Sequence, residues 1–437
     1  MSQNLSMRRV LPARSIRGEI RIPGDKSLSH RAGFLGALST QGIEVTNFSS
    51  GADCTSTLNC LAQLGCSVVR VEDRVKISRG GGIRETEGTL DAGNSGTTAR
   101  LMCGLLAGIP GAFSVISGDE SLRRRPMSRV VDPLRTLGAR IDGRDGGKRL
   151  PLSIRGTRLC GGSYLLPVAS AQIKTTLMLA GLSAQGSVTV TEPTPTRDHT
   201  EIMLEHLGVP VRKEGSSITV YPFEDLPGGS WHIPGDFSSA AFWIVAAALL
   251  PDSDLILRGV GLNPTRTGML ETLRQMGLNV QIESPCLSGG EKIGDLRVKG
   301  SSLAAISIDA ERVPALVDEL PVLAVAATRA EGVTEIRGAG ELRVKECDRI
   351  SAMTEGLRAL GVELDEHQDG WTIRGGQKLR GGKVQSRGDH RIAMALAIAG
   401  LAADGPVEID DAACVAISYP DFFDHLAAVA LRERSSE

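Results

Sequence analysis

Residues 23–38 read PGDKSLSHRAGFLGAL and residues 234–250 read PGDFSSAAFWIVAAALL, so the same phrase occurs twice, about half a chain apart. In each, Pro-Gly makes a turn, an Asp stands ready to cap a helix, and an Ala/Leu-rich run supplies the helix. Within the first run Leu28, Ala32, Leu35 and Leu38 fall at helical spacing, which predicts one buried stripe. Four further openings of this kind are AGNSGTTARLMCGLLAG from Ala92, VASAQIKTTLMLAGL from Val168, VDELPVLAVAAT from Val317 and GDHRIAMALAIAGL from Gly388. Each is followed by a Gly-punctuated Val/Ile strand, a polar loop and a second helix. The second helices close on LAQLGCSVV, PLRTLGARI, MLEHLGVPV, TLRQMGLNV and GLRALGVEL, where the Gly predicts a stop with positive φ. The sixth copy ends in FFDHLAAVAL without that stop. Segments such as VTVTEP from Val188 and LILRGV from Leu255 alternate as half-buried strands do. Six βαβαβ-like units of about 70 to 80 residues, grouped three and three, predict an α/β protein of two similar domains.

The length agrees, because 437 residues exceed one ordinary core and suit two domains of about 200 residues each. With 41% hydrophobic and 23% charged residues the chain is globular, and with only 3% aromatics its core is Leu, Val, Ile and Ala. A net charge of −2 gives no global field for nucleic acid, so any anion site is a local cluster. The eight cysteines contain no C-x-x-C and have no suitably spaced His, which argues against a disulfide framework and against a zinc site. The first residues, MSQNLSMRRVLPARSIRGEIRIPG, contain no apolar signal core, and the longest apolar run, 240–250, is too short to cross a bilayer. A cytoplasmic protein without membrane attachment is expected.

IPGD occurs at 22–25 and again at 233–236. One reading places chain crossings there, with a first domain of 1–22 plus 235–437 and a second of 23–234. Two sequential domains split near residue 230 fit the repeats equally well.

A helix N-terminus offers free N–H groups and a partial positive charge, and so favours phosphate or carboxylate. Several openings add side chains suited to an anion: Lys26, Ser27 and Arg31; Asn94, Gly96 and Thr97; Ser170, Gln172 and Lys174; His390 and Arg391. The dipole contributes only about 0.3–1 kcal/mol per helix, against about 1.5–3 kcal/mol for each charge-assisted bond. Equivalent positions in successive repeats predict a shared anion-binding cleft. No G-x-x-x-x-G-K-[ST], G-x-S-x-G or H-E-x-x-H occurs, and GAGELR at 338–343 lacks the third Gly of a dinucleotide fingerprint.

The phrases GDKSLSHR, GNSGTTAR, RRPM, ASAQIKT, TRDHTE, DELPVLAVAA, LRVKECDR and GDHRIAMA, in this order, resemble the EPSP synthase (3-phosphoshikimate 1-carboxyvinyltransferase) family of enolpyruvyl transferases, from about residue 22 to residue 423. The resemblance implies two domains of three βαβαββ repeats each, an inverse α/β barrel-like fold with the active site in the interdomain cleft. It thereby favours the discontinuous assignment. It implies transfer of the enolpyruvyl group of phosphoenolpyruvate to the 5-hydroxyl of shikimate 3-phosphate by addition and elimination, with no metal or organic cofactor. A monomer is expected, whose domains close on shikimate 3-phosphate because cations on opposing faces repel until an anion arrives. The resemblance also implies residue roles. Lys26 would lie between both substrates, with Ser27, Arg31, Ser170, Ala171, Gln172, Arg197, Asp318 and Lys345 on shikimate 3-phosphate. Gly96, Arg125, Gln172, Arg349 and Arg391 would take phosphoenolpyruvate. Asp318, Glu346 and Lys26 form the catalytic set, with His390 completing the cluster; Arg123 and Arg124 would be surface charge. Two positions depart from the pattern: Ile417 stands where some members carry Lys, and Ser95 where Ala is common, adding a hydroxyl beside Gly96. The related UDP-N-acetylglucosamine transferases carry Lys-Asn in place of Lys26-Ser27 and usually Cys where Glu120 stands. A non-catalytic scaffold of this fold would have lost charged site residues. Cys347, beside Glu346, reads as packing rather than as a nucleophile.

Overall fold

The computed structural model describes residues 7–431. The chain divides into one unit of Gly24–Ile233 with Leu287–Glu291, and another that takes the chain up to Pro23, Pro234–Cys286 and Lys292 onward. They are called here, by their largest spans, the 24–233 unit and the 234–431 unit. Each has its own apolar core.

The second repeat shows the building plan. Thr89–Asp91 pairs parallel with Phe113–Ser117, the helix Gly96–Ala107 connecting them; the helix Ser128–Thr136 then leads to Arg140–Gly143 and Arg149–Arg155, which add antiparallel. This βαβαββ sheet recurs in the third repeat with Gly162–Leu165, Val188–Thr191, Ser217–Val220 and Val211–Glu214. Alternation sets the faces as the sequence predicts: Val188 and Val190 are fully buried while Thr189 and Thr191 are half-buried.

The first and fourth repeats exchange their opening strands. Ser15–Arg21 leads into the helix Lys26–Ala37 but pairs parallel with Asp254–Gly261 of the fourth repeat. Gly229–His232 leads into the helix Phe237–Leu249 but pairs parallel with Ile43–Thr46 of the first. The two IPGD phrases are therefore where the chain passes from one unit to the other. Gly24 is required there, because a Cβ would lie 1.7 Å from the Asn47 carbonyl oxygen. The sixth sheet, Gly382–Gln385 with Val407–Asp410, takes its antiparallel strand from Arg8–Val10.

Each unit has three opening helices that pack on one another: Lys26–Ala37, Gly96–Ala107 and Ala171–Leu182 in one, Phe237–Leu249, Leu320–Arg329 and His390–Leu401 in the other. Five are capped by a side chain: Asp25, Ser95, Ser170, Asp236 and Asp389 each accept from a backbone N–H of the first turn, a bond worth about 1 kcal/mol. The first helix does not bury the single stripe expected of it. Every residue from Leu28 to Ala37 is buried, because other helices and strands pack all round it. The helix Phe237–Leu249 is buried as completely, and packs Trp243 on Phe422 with ring centroids 5.1 Å apart. The closing glycines take positive φ as read, Gly65 at +94° and Gly277 at +104° among them. Among the described residues no helix is long and apolar enough to cross a membrane.

Candidate active site

In the 24–233 unit the opening helices are buried along most of their length, and their first residues are among the few that reach solvent. Lys26, Ser27, Asn94, Thr97, Ser170, Ala171 and Gln172 are half-buried, whereas the turns behind them are buried. In the 24–233 unit these starts are tied to one another. Arg31, deeply buried, donates from Nη2 to Thr175 Oγ1 at 2.9 Å and from Nε to Thr200 Oγ1 at 2.8 Å, and Nη1 reaches back to the Ser27 carbonyl at 2.9 Å. Gln172 donates to Thr97 Oγ1 at 2.9 Å and accepts from Arg100 Nη1 at 2.7 Å. First, second and third helix starts thus share one hydrogen-bonded rim.

Charge is concentrated on that rim. Lys26 Nζ lies 3.0 Å from Asp53 Oδ2. Arg125 donates to Asn94 Oδ1 at 2.7 Å, and Asn94 in turn donates to Asp119 at 2.6 Å. A Cβ on Gly96 would come within 2.9 Å of Arg100 Nη1 and 3.3 Å of Arg125 Nη1, so the missing side chain lets two guanidinium groups flank the start of that helix. Burial lowers the Arg31 pKa to about 10, with Glu201 and Asp25 opposing, and the group stays charged at neutral pH. Arg197 is half-buried just ahead of the helix His199–His206, whose His199 Nδ1 lies 2.6 Å from Glu291 Oε1. Arg123 and Arg124 are exposed, and Arg124 pairs with Glu120 at 3.0 Å on the surface.

The 234–431 unit gathers its starts around carboxylates. Asp318 has Arg349 Nη1 at 3.7 Å, Arg391 Nη2 at 3.9 Å and Lys345 Nζ at 4.0 Å, and Arg391 Nη1 also donates to its carbonyl oxygen at 2.9 Å. Arg349, only 1% exposed, donates from Nη2 to Glu346 at 2.6 Å and from Nε to Asp389 at 2.7 Å, while its Nη1 makes no hydrogen bond. Burial opposes that charge, but Asp389, Glu346 and Asp318 together raise the Arg349 pKa above its ordinary value. Lys345 moves the other way: burial lowers its pKa against the pull of Asp318. Three acids, Asp318, Glu346 and Asp389, and three cations therefore meet within one network, as a reaction that moves protons beside a developing anion needs.

The EPSP synthase (3-phosphoshikimate 1-carboxyvinyltransferase) family model matches residues 10–426. This chain belongs to that family. The 3-phosphoshikimate 1-carboxyvinyltransferase of Desulforudis audaxviator is 51% identical, the match covering 97% of this chain and 99% of that one. That of Bacillus subtilis is 47% identical over 94% of this chain and 97% of its own. The solved EPSP synthase of Acinetobacter baumannii superposes with a TM-score of 0.86 at 41% identity, covering 98% of both chains. The α/β architecture of two units with three βαβαββ repeats each is the enolpyruvyl transferase fold of this family.

Within this EPSP synthase fold, two expectations change, and the fourth opening gains a partner. Lys174 is not on the rim: it is 1% exposed, with Glu201 at 2.7 Å and Glu192 at 3.0 Å, because it sits on the inward face one turn below Ser170. The Ser95 hydroxyl does not stand open beside Gly96; fully buried, it accepts from Thr98 N at 3.1 Å and Thr98 Oγ1 at 2.7 Å. The fourth opening, which carries no cation of its own, receives one from the next loop, for Arg266 donates to Ser238 Oγ at 2.7 Å and lies 3.3 Å from Asp236. Asp53, Arg100, Thr175, Thr200 and Asp389 also went unread as partners. Asp53 and Asp389 were open to inference, since an acid in the first turn or at the cap of a helix suits a nearby cation. Ile417 closes the short 3-10 helix Ala412–Ile417 and is half-buried. The Cys347 thiol is pushed far up by burial and by Asp389, which leaves it protonated and a poor nucleophile.

Proposed function

We infer that this chain is a 3-phosphoshikimate 1-carboxyvinyltransferase. It transfers the enolpyruvyl group of phosphoenolpyruvate to the 5-hydroxyl of shikimate 3-phosphate, giving 5-enolpyruvylshikimate 3-phosphate and phosphate in the shikimate pathway. The observation that carries the assignment of roles is the network around Arg349, in which Asp318, Glu346 and Asp389 share one buried guanidinium that still has an N–H to give.

In the addition step the 5-hydroxyl attacks C2 of phosphoenolpyruvate while C3 takes a proton. In the elimination step the C–O bond to phosphate breaks and C3 returns a proton. Asp318 is the group proposed to take the hydroxyl proton, since the adjacent cations stabilise its charged form before transfer. Glu346 is proposed to serve C3, held in place by the 2.6 Å bond from Arg349. Lys26, a mobile point charge beside Asp53, suits an oxygen whose charge changes along the path. Ser27, Arg31, Ser170, Ala171, Gln172, Arg197 and Lys345 would hold shikimate 3-phosphate. Gly96, Arg125, Gln172, Arg349 and Arg391 would hold phosphoenolpyruvate, whose phosphate and carboxylate fit guanidinium forks. The enzyme would act as a monomer in the cytoplasm.

The test is phosphate release on mixing phosphoenolpyruvate with shikimate 3-phosphate, run beside UDP-N-acetylglucosamine as acceptor. Release with shikimate 3-phosphate alone is expected; release only with the sugar nucleotide overturns the assignment. Arg125→Ala should raise the phosphoenolpyruvate KM and cost about 2–5 kcal/mol in kcat/KM, the loss expected when a hydrogen-bonded charge is truncated.

A further inference from the structure

Next to Asp318 lies a second acid that the mechanism above does not use. Glu319 is 1% exposed, and its side chain points inward while Asp318 faces the cations. It accepts a hydrogen bond from Ser238 Oγ, and Arg266 Nη1 lies 3.7 Å from its Oε1. Arg266 also donates to Ser238 Oγ at 2.7 Å and lies 3.3 Å from the helix cap Asp236. Three segments remote in sequence, the cap and first turn at 236–238, the loop residue 266 and the turn at 316–319, are thus fastened at one buried point. Glu319 N also donates to the Leu316 carbonyl at 3.0 Å, and its own carbonyl accepts from Leu323 at 3.0 Å. Its backbone therefore joins the turn carrying Asp318 to the helix Leu320–Arg329, the one opening helix with no side-chain cap.

We infer that Glu319 is a positioning residue for Asp318, holding that carboxylate in reach of the substrate hydroxyl through the Ser238–Arg266 anchor. The inference rests on the role proposed for Asp318. A buried acid needs a partner to stay in place, and this one is held by the Ser238 hydroxyl with the Arg266 guanidinium at ion-pair distance, while Arg266 itself lies against the helix cap Asp236. A shift of about 1 Å at such a remote anchor can cost about a hundredfold in rate.

The experiment is a double-mutant cycle on kcat with Glu319→Gln, Asp318→Asn and the pair. Glu319→Gln should lower kcat about tenfold or more with both KM values within about twofold. In the Asp318→Asn background it should lower kcat no further, since there is no base left to position. Equal loss in both backgrounds, or a Glu319→Gln enzyme with unchanged kcat, overturns the inference. An Asp318→Asn enzyme of full activity overturns instead the role given to Asp318. If Glu319→Gln does not fold, Ser238→Ala removes the same anchor more gently, and the same cycle decides.

Discussion

Replacing Lys174 with Met separates what its position in the sequence suggests from what its burial dictates. The variant keeps the length of the chain but leaves Glu192 and Glu201 facing each other where Nζ had stood 3.0 Å and 2.7 Å from them. Breaking a buried ion pair from one side costs about 3–5 kcal/mol. The protein can also escape by protonating one carboxyl. Burial already raises the Glu201 pKa against the pull of Lys174, so Glu201 would take the proton. At pH 7, neutralising a carboxyl whose unfolded pKa is about 4.3 costs about 3.7 kcal/mol, so both routes give a similar loss. The sign with pH follows. A carboxyl whose folded pKa is raised contributes stability fully below its unfolded value and loses it as pH climbs through the folded value. The deficit should therefore shrink by about 2 kcal/mol between pH 7 and pH 5.5.

The assay is urea unfolding of wild type and Lys174→Met at both pH values, followed by circular dichroism, with steady-state kinetics at a temperature where both are folded. A large, pH-dependent loss of stability with KM for shikimate 3-phosphate within about threefold is expected. A tenfold rise in that KM with stability unchanged to about 1 kcal/mol would refute the reasoning and return Lys174 to the substrate.

Ser95→Ala should cost about 1 kcal/mol of stability through the lost cap and leave the phosphoenolpyruvate KM within about twofold, since the hydroxyl is turned into the core; a tenfold change in KM would place that hydroxyl at the ligand. His30 is fully buried, with Nδ1 2.7 Å from Thr57 Oγ1, and burial with Lys26 and Arg31 holds its pKa well below 6.5. A His kept neutral in the fold loses its contribution as pH drops below the unfolded value, so wild type should lose up to about 1.4 kcal/mol per pH unit there; His30→Asn should remove that slope, and identical slopes would mean that His30 is charged in the fold.

The fold class was legible because the repeat is written at two levels. Gly-rich caps before Ala/Leu runs fix the helix starts, and Leu-Gly stops fix the ends of the second helices. The strand exchange at the two IPGD phrases was legible only as one of two options, because pairing of Ser15–Arg21 with Asp254–Gly261 leaves no local mark on either strand. The depth of each helix was not legible either. Lys174 and Arg31 are both cations in the first two turns of an opening helix, yet Arg31 is solvated by hydroxyls and Lys174 by two carboxylates. One partner of each, Thr200 for Arg31 and Glu201 for Lys174, comes from adjacent residues of another helix, so one residue's shift in facing decides which of them a cation meets.

The first and fourth repeats carry this furthest. In the first, the cation stands on the opening helix and the acid on the second, Lys26 with Asp53 at 3.0 Å. In the fourth the signs are reversed: the acid Asp236 caps the opening helix and Arg266 approaches from the segment before the second, at 3.3 Å. Both pairs tie an opening helix to the start of the next one, so both serve the fold. They differ in exposure, since the Lys26 side chain is 15% exposed and that of Arg266 3%. A part-exposed cation can exchange its carboxylate for a substrate oxygen, whereas a sealed one can only hold its neighbours, and the neighbour it holds is Glu319. Reversing the pair thus turns a binding element into an anchor, and the anchor serves the turn that presents Asp318. A swap that reverses the charges of the pair in the fourth repeat, Asp236→Lys with Arg266→Asp, keeps the net charge but puts an acid against Glu319. Like charges at that separation inside the fold are costly. The swap should therefore destabilise the 234–431 unit far more than Lys26→Asp with Asp53→Lys destabilises the 24–233 unit. Comparable midpoints for the two swapped proteins in chemical denaturation would show that burial, and not the order of charges, was misjudged.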